Sequence, residues 1–160
     1  MSKMFLQIPA QTGSATEANH KGQIPVDYFG FKNRRYIQNK VGYLANRSSG
    51  LPVIGEVELR LILDQASVDL FQYYCNGQTL PQVKIDICNS GNNLQPYSTF
   101  TLYDVYVSHY EERYGENSHK TLFVALNYSK IDKRFIATGP DNKLGQPSGT
   151  SFDLAKAQLS

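Results

Sequence analysis

Histidine and cysteine are the residue types in this sequence that could bind a metal ion or act as a nucleophile. The three histidines are His20, His109 and His119, and no two of them share the short spacing of a typical metal site. We therefore expect each histidine to be exposed or hydrogen-bonded. The sequence predicts neither a metal site nor a bound cofactor.

The two cysteines, Cys75 and Cys88, are too few for the disulfide framework of a small secreted protein and suit a reducing cytosol. We expect both thiols to be free and buried, as cysteine commonly is. The sequence alone leaves a bond between them open. Cys88 lies in an alternating strand pattern, where a thiol is usually inert, so a nucleophilic pair of Cys88 with His109 is not expected.

Other catalytic motifs are absent from the sequence, which contains no Gly-x-Ser-x-Gly, His-Glu-x-x-His or Cys-x-x-Cys. The segment 139–145 resembles a phosphate-binding loop, but it lacks the final Gly-Lys-Ser/Thr, and Pro140 removes a backbone amide. Glu111 and Glu112 are adjacent on a predicted strand and point to opposite faces, so they do not form a catalytic pair. We predict a protein without enzymatic activity.

The long segment from Lys32 to Pro52 carries a concentration of positive charge. Its lysines and arginines are Lys32, Arg34, Arg35, Lys40 and Arg47. A loop of about twenty residues within a compact domain is usually functional or mobile. One interpretation is a solvated charged loop. Recognition of nucleic acid is another, and the balance of 16 Lys and Arg against 14 Asp and Glu argues against it.

The elements that would position these residues are mainly strands. Apolar and polar residues alternate in the segments 56–63, 82–88 and 122–128. Such alternation is typical of antiparallel strands with one buried face. Further strands are predicted at 4–9, 23–32, 97–111 and 133–138. The length of the segment 97–111 favours a strand that bends around a barrel.

One segment departs from this alternation. Residues 64–76 predict a short helix, with Asp64 or Ser67 as N-cap and Gly77 at the C-terminal end. Loops are predicted at 11–19, 32–52 and 139–150. We therefore predict an all-β, mainly antiparallel barrel with one short α-helix, in a single domain spanning residues 1–160.

The N-terminal segment does not resemble a secretion signal. Its apolar run stops at Pro9 and no small-residue cleavage site follows. No other stretch approaches the roughly 18 apolar residues of a membrane span. We expect a protein that is made in the cytosol and does not insert into a membrane.

Several motifs, in their order and spacing, resemble the haemolysin-coregulated protein (Hcp) family, the inner-tube component of type VI secretion. They are His20–Ile24, Asp64–Ser67, Pro96–Tyr110, Leu126–Ile131 and Phe152–Leu154. The most specific are Asp-Val-Tyr-Val-Ser at 104–108 and Tyr-Ser-Lys-Ile at 128–131. Together the motifs span essentially the whole chain.

The chain departs from the family pattern at a few positions. Family members often carry tryptophan after the first motif and near the C-terminus, and proline near the helix start. At these positions this chain has Tyr28, Phe29, Phe31, Phe152 and Val68. The replacements keep an aromatic or apolar character, so they are compatible with the fold of the family.

The resemblance implies a two-sheet β-barrel that serves as a structural tube subunit. Six copies would form a ring, rings would stack into a tube, and effector proteins would travel in its lumen. A contractile sheath and a spike protein at the tip would be further partners. The chain would leave the bacterial cytoplasm through this machine, without a signal peptide. Since the family uses a long loop in this position between rings, the resemblance assigns ring stacking to Lys32, Asn33, Arg34, Arg35, Tyr36, Lys40 and Arg47.

Two other functions are compatible with an all-β barrel. A phage-like tail tube for DNA would need a strongly anionic lumen, whereas the predicted solvent faces mix Lys84 with Asp86 and Glu58 with Arg60. A small-ligand carrier would close its barrel around an apolar pocket. An exported toxin would need a catalytic constellation, and the sequence contains none.

Overall fold

The computed structural model describes residues 3–10, 12–37, 41–42, 50–91, 94–116, 118–141 and 143–160. Within these ranges the chain forms nine strands and one helix. In chain order they are β1 Lys3–Gln7, β2 Ile24–Phe31, β3 Val57–Ile62, α1 Ala66–Asn76, β4 Leu80–Cys88, β5 Pro96–Gly115, β6 Ser118–Asn127, β7 Lys130–Thr138, β8 Leu144–Asp153 and β9 Gln158–Leu159.

Six strands close a barrel in the order β4-β1-β2-β3-β6-β5, with β5 pairing back to β4. Strands β7, β8 and β9 extend the sheet outward from β5. Every pairing in the barrel and in its extension is antiparallel. The predicted all-β antiparallel barrel with one short helix is confirmed.

Strand β5 belongs to both parts of the sheet. Its first half pairs with β4 as far as Val105 and with β7 as far as Tyr103, and its second half pairs with β6 from Tyr106 onward. Between the two halves, Asp104 adopts a φ of 50°, a conformation that aspartate tolerates better than most residues. The strand therefore changes direction where it changes partner, as its length suggested.

The barrel interior is filled by the apolar residues of the alternating segments. Val57, Leu59 and Leu61 of β3 are buried, while Glu56 before them and Glu58 between them are exposed. The other strands and the helix contribute further buried residues, among them Ile85, Leu102, Leu122, Val124 and Leu126. Burial of this apolar surface is the main force that stabilises the barrel.

Helix α1 packs against β5 through Ala66 and Leu70, which are buried. It ends where predicted, at Gly77, whose φ of 63° favours glycine and whose N–H donates to the Tyr73 carbonyl. Of the two predicted N-cap residues, Ser67 lies within the helix, and Asp64 lies one residue before Gln65, which occupies the N-cap position without a side-chain cap. The Asp64 carboxylate accepts from the Ala66 and Ser14 amides, each at 2.9 Å, and so ties the helix start to the loop after β1.

No helix among the described residues is long and apolar enough to cross a membrane.

The predicted loop 139–150 is mostly strand. Residues 144–153 form β8, which pairs with β7 from Leu144 to Asp153. The glycines and Pro147 of this segment resemble turn signals, which is why the strand was missed. β8 tolerates them because it lies near the sheet edge, where β9 pairs with only Phe152 and Asp153.

Asp86 was predicted on a solvent face and is instead buried. Its carboxylate accepts from Thr99 Oγ1 at 2.9 Å and lies 3.4 Å from Lys84 Nζ and 4.0 Å from His20 Nδ1. These neighbours compensate the lost hydration of the charge. The alternation of β4 therefore changes phase here: Asp86 and Cys88 are buried, while Ile87 between them is only partly buried.

His20 is buried and hydrogen-bonded, which is one of its two predicted environments. Its Nε2 lies 2.9 Å from the Leu94 carbonyl and its Nδ1 2.9 Å from Gln23 Oε1. The ring also stacks on Phe5 at a centroid distance of 4.2 Å. His20 therefore joins the loop after β1 to β1 and to the segment before β5.

Both cysteines are free, but only one is buried. Cys88 lies under His20, and burial, together with the nearby Asp86 charge, raises the pKa of its thiol to about 12. Cys75 is exposed near the end of α1, so the expectation that both would be buried was wrong. Position 75 lies on the solvent side of the helix, away from the face that carries Ala66 and Leu70.

The packed barrel predicts a large effect of truncating a core residue. Leu102→Ala should lower the free energy of unfolding by about 2–5 kcal/mol, because it leaves a cavity at a fully buried position. Urea denaturation followed by circular dichroism measures this change. Leu159→Ala, at a position that is 65% exposed, is the matched control and should change it by less than about 0.5 kcal/mol.

The different environments of the cysteines predict different reactivities. In the native protein at pH 8, a chromogenic disulfide reagent should modify Cys75 quickly and Cys88 only after unfolding, because the thiolate is the reactive species. Cys75→Ala should therefore show no fast thiol, while Cys88→Ala should retain one. Fast modification of Cys88 in folded Cys75→Ala protein would contradict its inert, buried environment.

Candidate interaction surface

The basic segment begins as a continuation of the β2–β3 hairpin. The last β2–β3 pair is Phe31 with Val57. Beyond it, the backbones of Arg34 and Val53 exchange two hydrogen bonds of 3.1 and 2.7 Å. This isolated bridge holds residues 32–37 beside residues 50–55 past the end of the barrel, and we call these two segments the basic arm.

The base of the arm is held by specific contacts. Gly55 N donates to Asn33 Oδ1 at 3.0 Å, and a Cβ at Gly55 would lie 2.0 Å from the Lys32 carbonyl oxygen. Only glycine fits this close approach without a shift of the backbone. Tyr128 Oη donates to the Gly55 carbonyl at 2.6 Å, which ties the arm to the end of β6.

The electrostatics around this base reinforce the anchor. Burial, followed by the negative charge of Glu56, raises the pKa of Tyr128 well above its usual range, so its hydroxyl remains a donor. Glu56 in turn accepts from the Ser108 hydroxyl on β5 and from Asn127 Nδ2 at 3.4 Å. The arm is therefore attached to β5 and β6 as well as to its own hairpin.

Beyond this base, the arm exposes basic and apolar side chains together. Lys32, Arg34 and Arg35 are exposed on the first of its two segments. Its exposed apolar residues are Tyr36 at 68%, Ile37 at 50%, Leu51 at 75% and Val53 at 65%. A loop that only contacts solvent gains nothing from exposing several apolar side chains together. Tyrosine and arginine, by contrast, are enriched in protein interfaces. The arm has the composition of a protein-binding surface.

The structure brings five of the predicted ring-stacking residues into this arm and distinguishes their environments. Lys32, Arg34, Arg35 and Tyr36 are exposed, whereas the Asn33 side chain is used within the arm. Lys40 and Arg47 lie outside the described residues. The role of all seven residues in ring stacking stays a prediction.

Sequence reasoning overlooked the apolar part of the arm. Ile37, Leu51 and Val53 were not among the predicted site residues, although the sequence places them close to the basic and polar residues of this segment. Apolar residues retained in a long surface loop were the signal that could have identified them.

Of the other residues considered for chemistry, His20 and Cys88 lie together, with Cys88 Sγ 3.5 Å from His20 Nε2 in the buried group that includes Asp86. The other two histidines lie apart from this group in the sequence. His109 lies on the exposed face of β5, with its Nε2 3.3 Å from Glu111 Oε2. The side chain of His119 lies outside the described residues. Among the side chains that the structure describes, no three His, Cys, Asp or Glu are grouped so that they could hold a metal ion.

A second surface feature is a polar groove of about 580 Å³ over the outer face of β4, β5, β7 and β8. Hydroxyl and charged groups line it, including Lys84, Thr101, Tyr103 and Asp132. Tyr103 donates to Asp132 Oδ2 at 2.8 Å, and this bond is the first cause of a raised pKa of Tyr103. The groove is open and polar, so it differs from the enclosed apolar pocket of a ligand carrier.

Comparison with known protein families identifies one match. The family model for the type VI secretion system effector Hcp matches residues 5–135. Among curated proteins, no sequence matches the chain significantly.

Solved structures of type VI secretion proteins share the fold. A structure described as that of a type six secretion system protein aligns with a TM-score of 0.92 at 17% identity, covering 100% of both chains. Hcp1 from Salmonella typhimurium aligns with a TM-score of 0.81 at 17% identity, covering 99% of both. A type VI secretion system effector from Yersinia pestis aligns with a TM-score of 0.73 at 16% identity, covering 94% of this chain and 98% of that one.

At such identities the structures establish a common fold, and the family model, which spans most of the chain, establishes the relationship. The family resemblance of the sequence motifs is thereby confirmed, and the chain belongs to the Hcp family of type VI secretion proteins.

Proposed function

We propose that this protein is a non-enzymatic subunit of the type VI secretion tube, in which six copies form a ring and the basic arm joins each ring to the next. The observation that carries the proposal is the arm itself, which presents three cations and exposed apolar side chains beyond the barrel. A surface of this composition gains stability when another protein covers it.

The magnitude of the contact favours a symmetric assembly. One exposed ion pair contributes only about 0.2–1 kcal/mol, so a single arm would hold two rings weakly. Six arms that engage together multiply the effect, because after the first contact the others form at high effective concentration. Burial of Tyr36 and Ile37 would add an apolar contribution that salt does not screen.

Further parts of the proposal follow from membership of the family. The chain would wait in the bacterial cytoplasm and leave through the type VI machine without a signal peptide. The assembled tube would carry effector proteins in its lumen, with a contractile sheath around it and a spike protein at its tip. We propose no nucleic-acid partner and no membrane insertion.

The competing functions receive less support. A small-ligand carrier needs an internal cavity, whereas buried side chains from the barrel strands and from helix α1 pack together in the interior of this barrel. A nucleophilic role for Cys88 is disfavoured by its burial and its raised pKa. A tail tube for phage DNA would be expected to match a different family.

The ring prediction can be tested on the purified protein. Native mass spectrometry should show hexamers, and electron microscopy should show rings with an open centre. Interfaces as large as those of stable protein complexes should keep the rings intact until the protein concentration is low. A monomer that persists at high protein concentration would contradict the proposal.

The arm prediction concerns stacking alone. We expect the arginines of the arm to contact acidic groups on the next ring. Arg34→Glu with Arg35→Glu should therefore leave hexamers intact and abolish tubes and secretion, because the reversed charges would repel those acidic groups. Size-exclusion chromatography and electron microscopy measure the two properties separately. Stacking of the unmodified protein should also weaken between about 0.05 M and about 0.5 M salt, since the Debye length shortens.

The matched control is Lys143→Glu with Lys156→Glu, which reverses two exposed cations far from the arm in the sequence. It should form tubes normally. Normal tubes from the arm variant would show that the arm has no part in stacking, and loss of its hexamers would place the arm within the ring.

A further inference from the structure

The strand register places a second charged region at the end of the barrel opposite the basic arm. On β3, Val57 at the arm end pairs with Leu126, and Ile62 at the far end pairs with Thr121. The β5–β6 hairpin continues past Thr121 to the pair of Gly115 with Ser118. At about 3.3 Å per residue, this hairpin end projects roughly 10 Å beyond β3.

This end of the barrel is rich in carboxylates. The segments 64–69 and 111–116 contain five acidic residues and one arginine. We call these acidic residues the acidic end: Asp64, Asp69, Glu111, Glu112 and Glu116. Lys120 on the returning strand adds one positive charge, so the region stays negative overall.

The two segments lie side by side because one tyrosine contacts both. Tyr110 Oη lies 3.3 Å from the Ser67 carbonyl of α1 and also donates to the Glu112 carboxylate. Its ring packs on Phe71 at a centroid distance of 5.1 Å. Burial first, and then the bond to Glu112, raise the pKa of Tyr110, so it remains a neutral donor.

Within this region, Glu112 and Glu116 are the carboxylates best placed to receive a partner. Glu111 already bonds to Arg113 Nε at 2.8 Å. Glu112 is exposed and is oriented by the hydroxyls of Tyr110 and Tyr114, the latter at 2.9 Å. Glu116 is exposed at the hairpin tip, and Tyr114 beside it is 61% exposed. Oriented carboxylates next to an exposed aromatic ring match the arginines and the apolar side chains of the arm.

We propose that Glu112 and Glu116 of the acidic end, together with the neighbouring Tyr114, form the surface that receives the basic arm of a second copy of this chain in the next ring. The inference rests on the proposed function and specifies the partner of its arm. The arm and the acidic end lie at opposite ends of β3. In a ring whose barrels stand parallel to the tube axis, the arms would therefore lie on one face and the acidic ends on the other. Contact between two identical faces would place like charges together.

Charge reversal tests the acidic end independently of the arm. Glu112→Lys with Glu116→Lys should keep hexamers and abolish tubes, as the arm variant does. Combining these changes with Arg34→Glu and Arg35→Glu in one chain should restore tubes, because the complementary charges have exchanged sides. The milder Glu112→Gln with Glu116→Gln should need about tenfold more protein to stack.

The outcomes separate this inference from the proposed function. Normal stacking of the acidic-end variant, together with failed stacking of the arm variant, would overturn the acidic end as receptor and leave the arm's role intact. Loss of hexamers in a folded Glu112→Gln, Glu116→Gln protein would also overturn it, because the surface would then lie within the ring. A single Glu116→Lys variant should already stack more weakly, whereas Asp141→Lys, on the turn between β7 and β8, reverses one exposed acidic charge elsewhere and should stack normally. Equal loss of stacking in these two single variants would overturn the inference.

Disulfide crosslinking tests the contact directly. In a Cys75→Ala background, Arg34→Cys and Glu116→Cys are introduced into one chain, and assembled tubes are oxidised. Contact between successive rings links each chain to the one above and the one below, so denaturing gels should show ladders longer than six chains. A ladder that stops at six would place the contact within a ring, and no ladder from intact tubes would place the arm elsewhere; either result overturns the inference.

Discussion

The backbone pairing of β5 is the interaction on which the rest of the structure depends. Its first half holds β4 on one side and β7 on the other, and its second half holds β6. Closure of the barrel and attachment of the outer strands therefore share one segment. Antiparallel pairing satisfies the backbone groups of these strands, and closure removes the open edges that a sheet would otherwise expose within the barrel.

The same strand connects the packed core to the charged surface. Val105 and Val107 are buried in the barrel, whereas Tyr110 is only partly buried against the core and reaches both helix α1 and Glu112. Ser108, between them, bonds to Glu56 at the base of the basic arm. Consequently β5 contacts the bases of both proposed contact surfaces, and a shift of this strand would disturb both.

The regular part of the fold could be predicted because its sequence pattern follows directly from burial. Val57, Leu59 and Leu61 alternate with charged residues, and a strand with one buried face requires this alternation. Gly77 ended the helix where predicted, because its positive φ is costly for other residues. These signals are local, so they can be recognised in the sequence without knowing which strands are neighbours.

Features that depend on distant partners could not be predicted in the same way. Asp86 resembles a solvent-facing residue until Thr99 and His20 are brought to it from other parts of the chain, beside Lys84 of its own strand. β8 is extended because β7 pairs with it, although its own glycines and Pro147 favour turns. Of the candidate site, the sequence located the charged residues, while their attachment through Tyr128 required the folded chain.

The anchored base of the arm has a consequence for binding. A flexible loop loses conformational freedom when it docks, and this cost reduces the affinity that its contacts provide. Here the Arg34–Val53 backbone bonds, the Asn33 side chain and the Tyr128 hydroxyl already fix the base of the arm in the isolated chain. Much of the ordering is thus completed during folding, stabilised by the same core that forms the barrel. Contacts that are individually weak can then contribute more of their free energy to the assembly. A few charges on each arm are enough to hold two rings together, because the symmetry of the ring repeats them in every copy.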